Sequence, residues 1–158
     1  MKAQKPKPRK TVRDCALSLL EYRDRTEQEL SRKLAERGYE PEEIQEVLTF
    51  LKEYHYVDDE AYTRRYICAA SSRKSIRQIR QDLIQKGVDR ETLDAGFEET
   101  AVDEEELIRS LLRKKGYQPG ERMEEAAYRK MMASLSRKGF SFDAVRRAMD
   151  GMGEEPEW

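Results

Sequence analysis

The chain has 158 residues, of which 40% are charged, yet its 31 basic and 32 acidic side chains nearly cancel to a net charge of −1. This balance excludes a uniformly basic nucleic-acid-binding protein, although it is compatible with a locally basic surface. No run of residues approaches the roughly 20 apolar positions of a membrane-spanning helix, and the N-terminus lacks the apolar stretch of a secretory signal. We therefore expect a cytoplasmic protein that makes no membrane contact.

The N-terminal residues 1–10 are basic and contain prolines, a composition that predicts a flexible basic arm. After the arm, apolar residues recur at helical spacing and predict a first helix over about residues 11–23. The residues of this stripe are Val12, Cys15, Ala16 and Leu19.

The next stretch, Thr26 to Leu51, reads as two helices joined by a glycine turn. Thr26 and Glu29 form the pattern of a capping box, which predicts the start of a helix. Gly38 follows a basic last turn, where the chain needs the left-handed conformation that glycine adopts without strain, and it predicts the end of that helix. Pro41 suits a first helical position and starts the next helix. That helix presents an apolar stripe of Ile44, Val47, Leu48 and Leu51.

This helix–glycine–helix pattern recurs twice, because Gly87 and Gly139 follow Gly38 at intervals of 49 and then 52 residues. Each glycine has a leucine four positions earlier, and periods of this length are typical of stacked helical units. We predict an all-α fold, an elongated tandem array of three three-helix repeats that resemble helix-turn-helix units. The predicted boundaries are residues 11–56, 57–100 and 101–152 for the repeats, with an acidic tail at 153–158.

The second repeat carries a strong charge contrast. From Tyr62 to Lys86 there are seven basic residues and one acidic residue, whereas Gly87 to Glu106 contains one basic and nine acidic residues. Three arginines of the basic part are spaced i, i+4 and i+7, which would place them along one edge of a helix. A solvated charged face is the alternative, but the excess of one sign favours a binding surface. The candidate binding residues are Arg73, Lys74, Arg77 and Arg80, with Arg146 and Arg147 of the third repeat.

The sequence contains no phosphate-binding loop, no paired Cys or His motif and no nucleophile flanked by glycines, so we expect no enzymatic activity and no cofactor. His55 is the one histidine, which leaves no set of metal ligands at the usual spacings. Cys15 and Cys68 fall among apolar neighbours on predicted helices, where cysteine behaves as a small hydrophobe. Asp58 to Glu60 are explained by capping of a helix start rather than by a metal.

Several segments together resemble the RecX regulatory family. They are YVDDEAYTRRYI (Tyr56 to Ile67), IRQIRQDLIQKGV (Ile76 to Val88) and LSRKGFSFDAVRRAM (Leu135 to Met149), and the first repeat, ALSLLEYRDRTEQELSRKLAERGY, is similar as well. The resemblance covers about Asp14 to Asp150. It implies a bacterial modulator of RecA that is built of three-helix repeats and binds the groove of the RecA filament. We also expect the protein to be a monomer.

The same resemblance implies that the protein limits the recombinase and co-protease activities of RecA. Contact with single-stranded or filament-bound DNA is compatible with that role. The residues alone leave a second interpretation open, a non-specific helical nucleic-acid-binding module. A sequence-specific DNA reader is disfavoured because the helices in the recognition position begin EPEEIQE and DRETLDA, whose carboxylates DNA repels.

Overall fold

The computed structural model describes residues 10–153; residues 1–9 and 154–158, which include most of the predicted basic arm and acidic tail, lie outside the described residues. Within the described range the chain forms nine helices and no strand, which confirms the all-α prediction. The helices are α1 (Val12–Tyr22), α2 (Glu27–Glu36), α3 (Pro41–Glu53), α4 (Asp59–Ala70), α5 (Ile76–Gln85), α6 (Arg90–Glu99), α7 (Glu104–Lys114), α8 (Glu125–Arg137) and α9 (Phe142–Ala148). No helix in this range is long and apolar enough to cross a membrane.

The three glycine turns have the geometry that the sequence predicts. The φ angles of Gly38, Gly87 and Gly139 are +93°, +88° and +89°, in the left-handed region that disfavours any residue with a Cβ. In each turn, the residue that follows the glycine donates its N–H to the carbonyl of the leucine that lies four positions before the glycine. These leucines are fully buried, as predicted, at Leu34, Leu83 and Leu135.

Helix starts were also predicted correctly. The side chain of Thr26 accepts from the N–H of Glu29 at 3.1 Å, and the Glu29 carboxylate accepts from the N–H of Thr26 at 3.2 Å, which completes the capping box. Asp58 caps α4 through the N–H of Ala61 at 3.1 Å. Asp89 and Ser141 cap α6 and α9 in the same way.

The described residues group into two compact units. The first unit contains residues 10–65 and 83–96, and the second contains residues 66–82 and 97–153. Helices α4, α5 and α6 each have residues in both units, so the middle repeat is divided between the two units.

Each unit has its own hydrophobic core. The core of the first unit comes mainly from α1, α2 and α3, and includes Leu30, Leu34 and Leu51. In the second unit, α7, α8 and α9 supply most of the core, including Ile108, Leu112 and Leu135. One expectation is corrected: Cys68 is exposed rather than buried. Met152, the last residue of the predicted third repeat, is buried in the second core.

Candidate functional site

The first unit contains a set of hydrogen bonds that we call the first junction. The hydroxyl of Thr26, besides capping α2, donates to the carbonyl of Lys86. One residue later, the N–H of Glu27 donates to the carboxylate of Asp59, the first residue of α4, at 2.9 Å. Burial raises the pKa of Asp59, against the opposing effect of this hydrogen bond. The start of α2 is thereby fixed to the turn before Gly87 and to the start of α4.

Gly87 completes the first junction through close contact with α2. A Cβ built at Gly87 would overlap the side chain of Gln28, including its Cβ atom, which a rotamer change cannot move away. The position therefore requires glycine both for its φ of +88° and for the space beside it.

The second unit contains the same arrangement, the second junction. The hydroxyl of Ser75 caps α5 by accepting from Gln78 N–H at 3.1 Å, and it donates to the carbonyl of Lys138 at 2.9 Å. The N–H of Ile76 donates to Glu104 Oε1 at 2.7 Å, and Glu104, like Asp59, is the first residue of its helix. Gly139 again follows the accepting carbonyl.

The second junction differs in two details. Glu104 is 8% exposed, and its second carboxylate oxygen accepts from the N–H of Ser141 at 3.4 Å, so that one side chain holds the starts of α5 and α9. A Cβ at Gly139 would lie 3.0 Å from Ser75 Oγ and 3.3 Å from Arg77 Cδ, a tight but less severe contact than at Gly87. The second junction is therefore slightly more open than the first.

The sequence pattern predicted the cap at Thr26, but not the cap at Ser75 or the long-range partner of either hydroxyl. A signal was present, because Thr26 and Ser75 each stand twelve positions before a turn glycine, Gly38 and Gly87. At the equivalent position before Gly139 the chain has Ala127. There, α8 begins earlier, at Glu125, so the junction hydroxyl is missing from the third repeat.

Of the predicted binding residues, Lys74 has a structural role. Its ammonium group lies 2.6 Å from Asp82 Oδ2 and 3.2 Å from the hydroxyl oxygen of Tyr66. The hydrogen bond to Asp82 is the main effect that raises the pKa of Lys74. Burial alone would raise the pKa of Asp82, but hydrogen bonds from Lys74, Tyr66 and Gln78 outweigh it and lower that pKa. Lys74 thus ties the turn before α5 to the body of that helix.

Arg73 lies in the turn before α5, outside the helix, so the predicted i, i+4, i+7 row is a helical row only for Arg77 and Arg80. The side chain of Arg73 is exposed, and no ion pair joins Arg73 or Arg77 to another residue in the range 10–153. Arg80 is half-buried, with its guanidinium carbon 4.7 Å from the centre of the Phe97 ring, a cation–π contact that fixes its position.

Arg77 and Arg80 meet in a groove of about 630 Å³ within the second unit, which we call the arginine groove. It lies between α5 and the turn that leads into α9. Its lining consists of Ile76, Arg77, Arg80, Gln81, Glu104, Gly139, Phe140 and Ser141.

Arg146 and Arg147 lie on α9, are exposed, and do not line the arginine groove. Arg147 Nε is 3.2 Å from Glu105 Oε2, an ion pair that links α9 to α7. Arg146 has no ion pair with any other residue of the described range. The structure therefore brings together two of the six predicted residues, and it assigns ion pairs to Lys74 and Arg147. Within residues 10–153 no group of three His, Cys, Asp or Glu side chains is placed to hold a metal ion.

The two junctions provide an internal comparison for the basic residues, because positions of the first repeat correspond to positions 49 residues later. Lys74 corresponds to Arg25, a buried cation whose Nε donates to the carbonyl of Leu19 at 3.2 Å. A structural cation is therefore common to both repeats. By contrast, Asp24, Gln28 and Ser31 occupy the positions of Arg73, Arg77 and Arg80.

This comparison separates folding from function at the arginine positions. The first junction forms with an acidic residue and two neutral residues where the second has three arginines, so the shared hydrogen bonds do not need those positive charges. The charges of Arg73 and Arg77 are consequently the part of the second junction that the repeat architecture leaves unexplained.

Three stretches of the chain match models of the RecX three-helix domains. Residues 13–51 match the first domain, residues 58–96 the second and residues 103–149 the third. This agreement confirms the prediction of three three-helix repeats in tandem.

Proteins with similar sequences are named regulatory protein RecX. The regulatory protein RecX of Vibrio vulnificus is 32% identical over 143 residues, covering 90% of this chain and 93% of its own length. RecX of Pseudomonas fluorescens is 32% identical over 145 residues, covering 90% and 92%. The crystal structure of RecX from Lactobacillus salivarius has a TM-score of 0.75 at 22% identity, over 87% of this chain and 92% of that chain, and it supports the fold.

Proposed function

Because the chain belongs to the RecX family of regulatory proteins, we propose that it regulates the RecA recombinase by binding the groove of the RecA–DNA filament. In this role it limits recombinase and co-protease activity, and it acts by binding rather than by catalysis. It functions as a monomer in the cytoplasm.

The difference between the two junctions is the observation that supports this proposal most directly. Asp24, Gln28 and Ser31 occupy three positions of the first repeat, and the equivalent positions of the second repeat hold Arg73, Arg77 and Arg80. Exposed arginines that the fold does not need can serve a binding partner, because a guanidinium group pairs well with a carboxylate or a phosphate.

Arginine suits a filament partner of either chemistry. Its planar guanidinium group binds a carboxylate or a phosphate through two parallel hydrogen bonds. Arg73 and Arg77 are exposed at the surface of the second unit, and Arg80 is half-buried and positioned by Phe97. Arg146 extends the candidate surface onto α9, whereas the ion pairs of Lys74 and Arg147 give these two residues secondary roles.

The test is a pulldown of the purified protein with RecA, with and without single-stranded DNA and nucleotide, followed by a RecA strand-exchange assay. The variant carries alanine at Arg73, Arg77 and Arg80, and the matched control carries Arg32→Ala, an exposed arginine of α2. We expect wild type and control to bind and inhibit RecA, and the triple variant to lose both effects. Equal affinity for single-stranded DNA in the absence of RecA would support the nucleic-acid-binding module instead.

A further inference from the structure

The arginine groove has a lining that is specific to the second junction. Ile76 supplies apolar surface, and Arg77 and Arg80 supply positive charge beside it. Its volume of about 630 Å³ lies within the range of about 300–1,000 Å³ that is usual for sites enclosing a ligand group.

We propose that the arginine groove binds an acidic peptide segment of the protein partner, with one apolar side chain of that segment in the groove and its carboxylates on Arg77 and Arg80. The identification of this partner as RecA rests on the proposed function, whereas the chemistry of the segment comes from the groove itself.

Charge complementarity supports an anionic occupant. Arg77 is exposed and has no ion pair in the range 10–153, and Arg73 is exposed in the turn before the groove. Glu104 is the one carboxylate in the lining, and both of its oxygens accept backbone N–H groups, from Ile76 at 2.7 Å and Ser141 at 3.4 Å. These hydrogen bonds direct its charge toward the junction, so Glu104 does not compete with an incoming anion for Arg77.

The surroundings favour a peptide over a nucleic-acid strand. After Glu104, α7 continues with two further carboxylates, Glu105 and Glu106, which pair with Arg147 and Arg109 respectively. A nucleic-acid backbone carries a charge at every nucleotide and would meet these carboxylates beyond the groove. A peptide can confine its charge to two or three residues beside one apolar anchor. Phe140 is 6% exposed, so its ring offers no platform for base stacking.

The repeat itself supplies the variant for the test. Arg77→Gln with Arg80→Ser gives the second junction the residues that Gln28 and Ser31 provide in the first. Gln28 fits against Gly87, so glutamine at position 77 is compatible with the contact to Gly139. This variant is expected to fold normally, which a thermal melt and an amide spectrum check.

A binding experiment with defined probes tests the chemistry without RecA. A blocked Glu-Glu-Leu-Glu-Glu peptide is titrated into the labelled full-length protein, and the amide signals of Gly139 and Ser141 are followed. We expect saturable shifts at these residues, and affinity lower by about tenfold in the Arg77→Gln, Arg80→Ser variant or when glycine replaces the leucine of the peptide. Absence of binding by wild type overturns the proposal.

Two further arms test other occupants. In the first arm, oligothymidylate replaces the peptide. Larger shifts of these signals than the peptide gives, together with loss of the shifts in Phe142→Ala, would assign the surface to nucleic acid. Phe142 is chosen because it is 69% exposed and directly follows the groove residue Ser141 in the sequence. Peptide binding that appears only after deletion of residues 154–158, whose sequence is EEPEW, would assign the groove to the chain's own acidic end. Either result overturns the proposal.

The last arm separates this inference from the proposed function. Wild type, the Arg77→Gln, Arg80→Ser variant and Arg32→Gln are compared for binding to RecA filaments. Loss of filament binding in the groove variant alone supports both proposals. Filament binding and inhibition that persist at wild-type level in the groove variant overturn the groove inference and leave the RecA role standing. Failure of wild type to bind RecA overturns the RecA role, while the peptide titration still decides the groove.

Discussion

The hydroxyl of Ser75 donates a 2.9 Å hydrogen bond to the carbonyl of Lys138, a residue 63 positions later in the chain. The same hydroxyl oxygen accepts from the N–H of Gln78 and so caps the start of α5. One atom therefore begins a helix and also joins it to a distant turn. Thr26 does the same for α2 in the first unit. The repetition of this bond means that the repeats share their mode of connection as well as their internal helices.

Loss of either hydroxyl should destabilise the protein by more than a simple cap. Ser75→Ala removes the cap and also leaves the carbonyl of Lys138 without this donor, so we expect a cost on the order of 1–3 kcal/mol in the free energy of unfolding. Thr26→Ala should behave alike. Denaturant melts measure the effect, with Thr26→Ser and Ser75→Thr as controls that keep the hydroxyl. A cost no larger for the alanine variants than for these controls would contradict the junction.

Gly87 and Gly116 form a matched pair for testing the close approach in the first junction. Their φ angles are +88° and +90°, so alanine introduces the same backbone strain at either site, which costs about 1 kcal/mol in the free energy of unfolding. A Cβ at Gly116 meets no atom within 4 Å, whereas at Gly87 it overlaps Gln28. We expect Gly87→Ala to destabilise by at least roughly 1 kcal/mol more than Gly116→Ala in parallel melts. Equal costs would show that α2 does not press on this turn.

Local features of the fold could be predicted from sequence because they depend on neighbours along the chain. Thr26 and Glu29 cap a helix within one turn. The helix end at Gly38 is predictable because a positive φ there favours glycine. Apolar spacing gave the buried leucines for the same reason. These signals repeat three times, which made the all-α repeat architecture evident.

The junctions could not be predicted in this way because their partners are distant. Nothing near Ser75 indicates that its hydroxyl reaches Lys138, and nothing near Lys74 distinguishes a structural cation from a binding one. Cys68 was expected to be buried from its apolar neighbours, but the helix turns it outward. The carbonyl of Met152 accepts from the distant Met123 N–H at 2.9 Å while its side chain is buried in the core, and the glycines on either side of Met152 give no sign of this.

Lys74 and Asp82 should make stability depend on pH in the acid range. The pKa of Asp82 is lower in the folded protein than its ordinary value of 3.8. Such a carboxylate contributes stability above the unfolded pKa, and the contribution is lost as the pH falls from about that value through the lowered folded pKa. Lys74→Ala removes the main charged donor, so we expect a loss of roughly 1 kcal/mol at neutral pH and a shallower decline below about pH 4.

The measurement is a set of denaturant melts between neutral and acid pH. Arg73→Ala is the control, since Arg73 is the adjacent exposed cation without an ion pair in the described range. It should leave both the stability and its pH profile unchanged. Parallel profiles for wild type and Lys74→Ala would show that the Lys74–Asp82 pair does not contribute.

Salt dependence should show which anions the arginines bind. A protein that neutralises DNA phosphates releases condensed counterions, so each phosphate contact steepens the fall of log K with log salt by about one. Carboxylates of a protein partner hold no such condensed layer. Since the arginine groove combines Arg77 and Arg80 with apolar surface, we expect the slope for filament binding to change by much less than one per arginine when they are replaced by glutamine and serine.

The decisive comparison uses RecA filaments assembled with and without DNA, and Arg32→Gln as the control for loss of an exposed arginine. If the arginines bind carboxylates of the protein partner, replacing Arg77 and Arg80 should lower the affinity for both kinds of filament by the same factor. If the slope instead falls by about two for this pair, and the loss is confined to filaments that contain DNA, then the arginines bind phosphates. In that case the apolar lining of the groove contributes nothing to recognition, and Ile76→Ala, which adds no charge beside the arginines, should leave filament affinity unchanged.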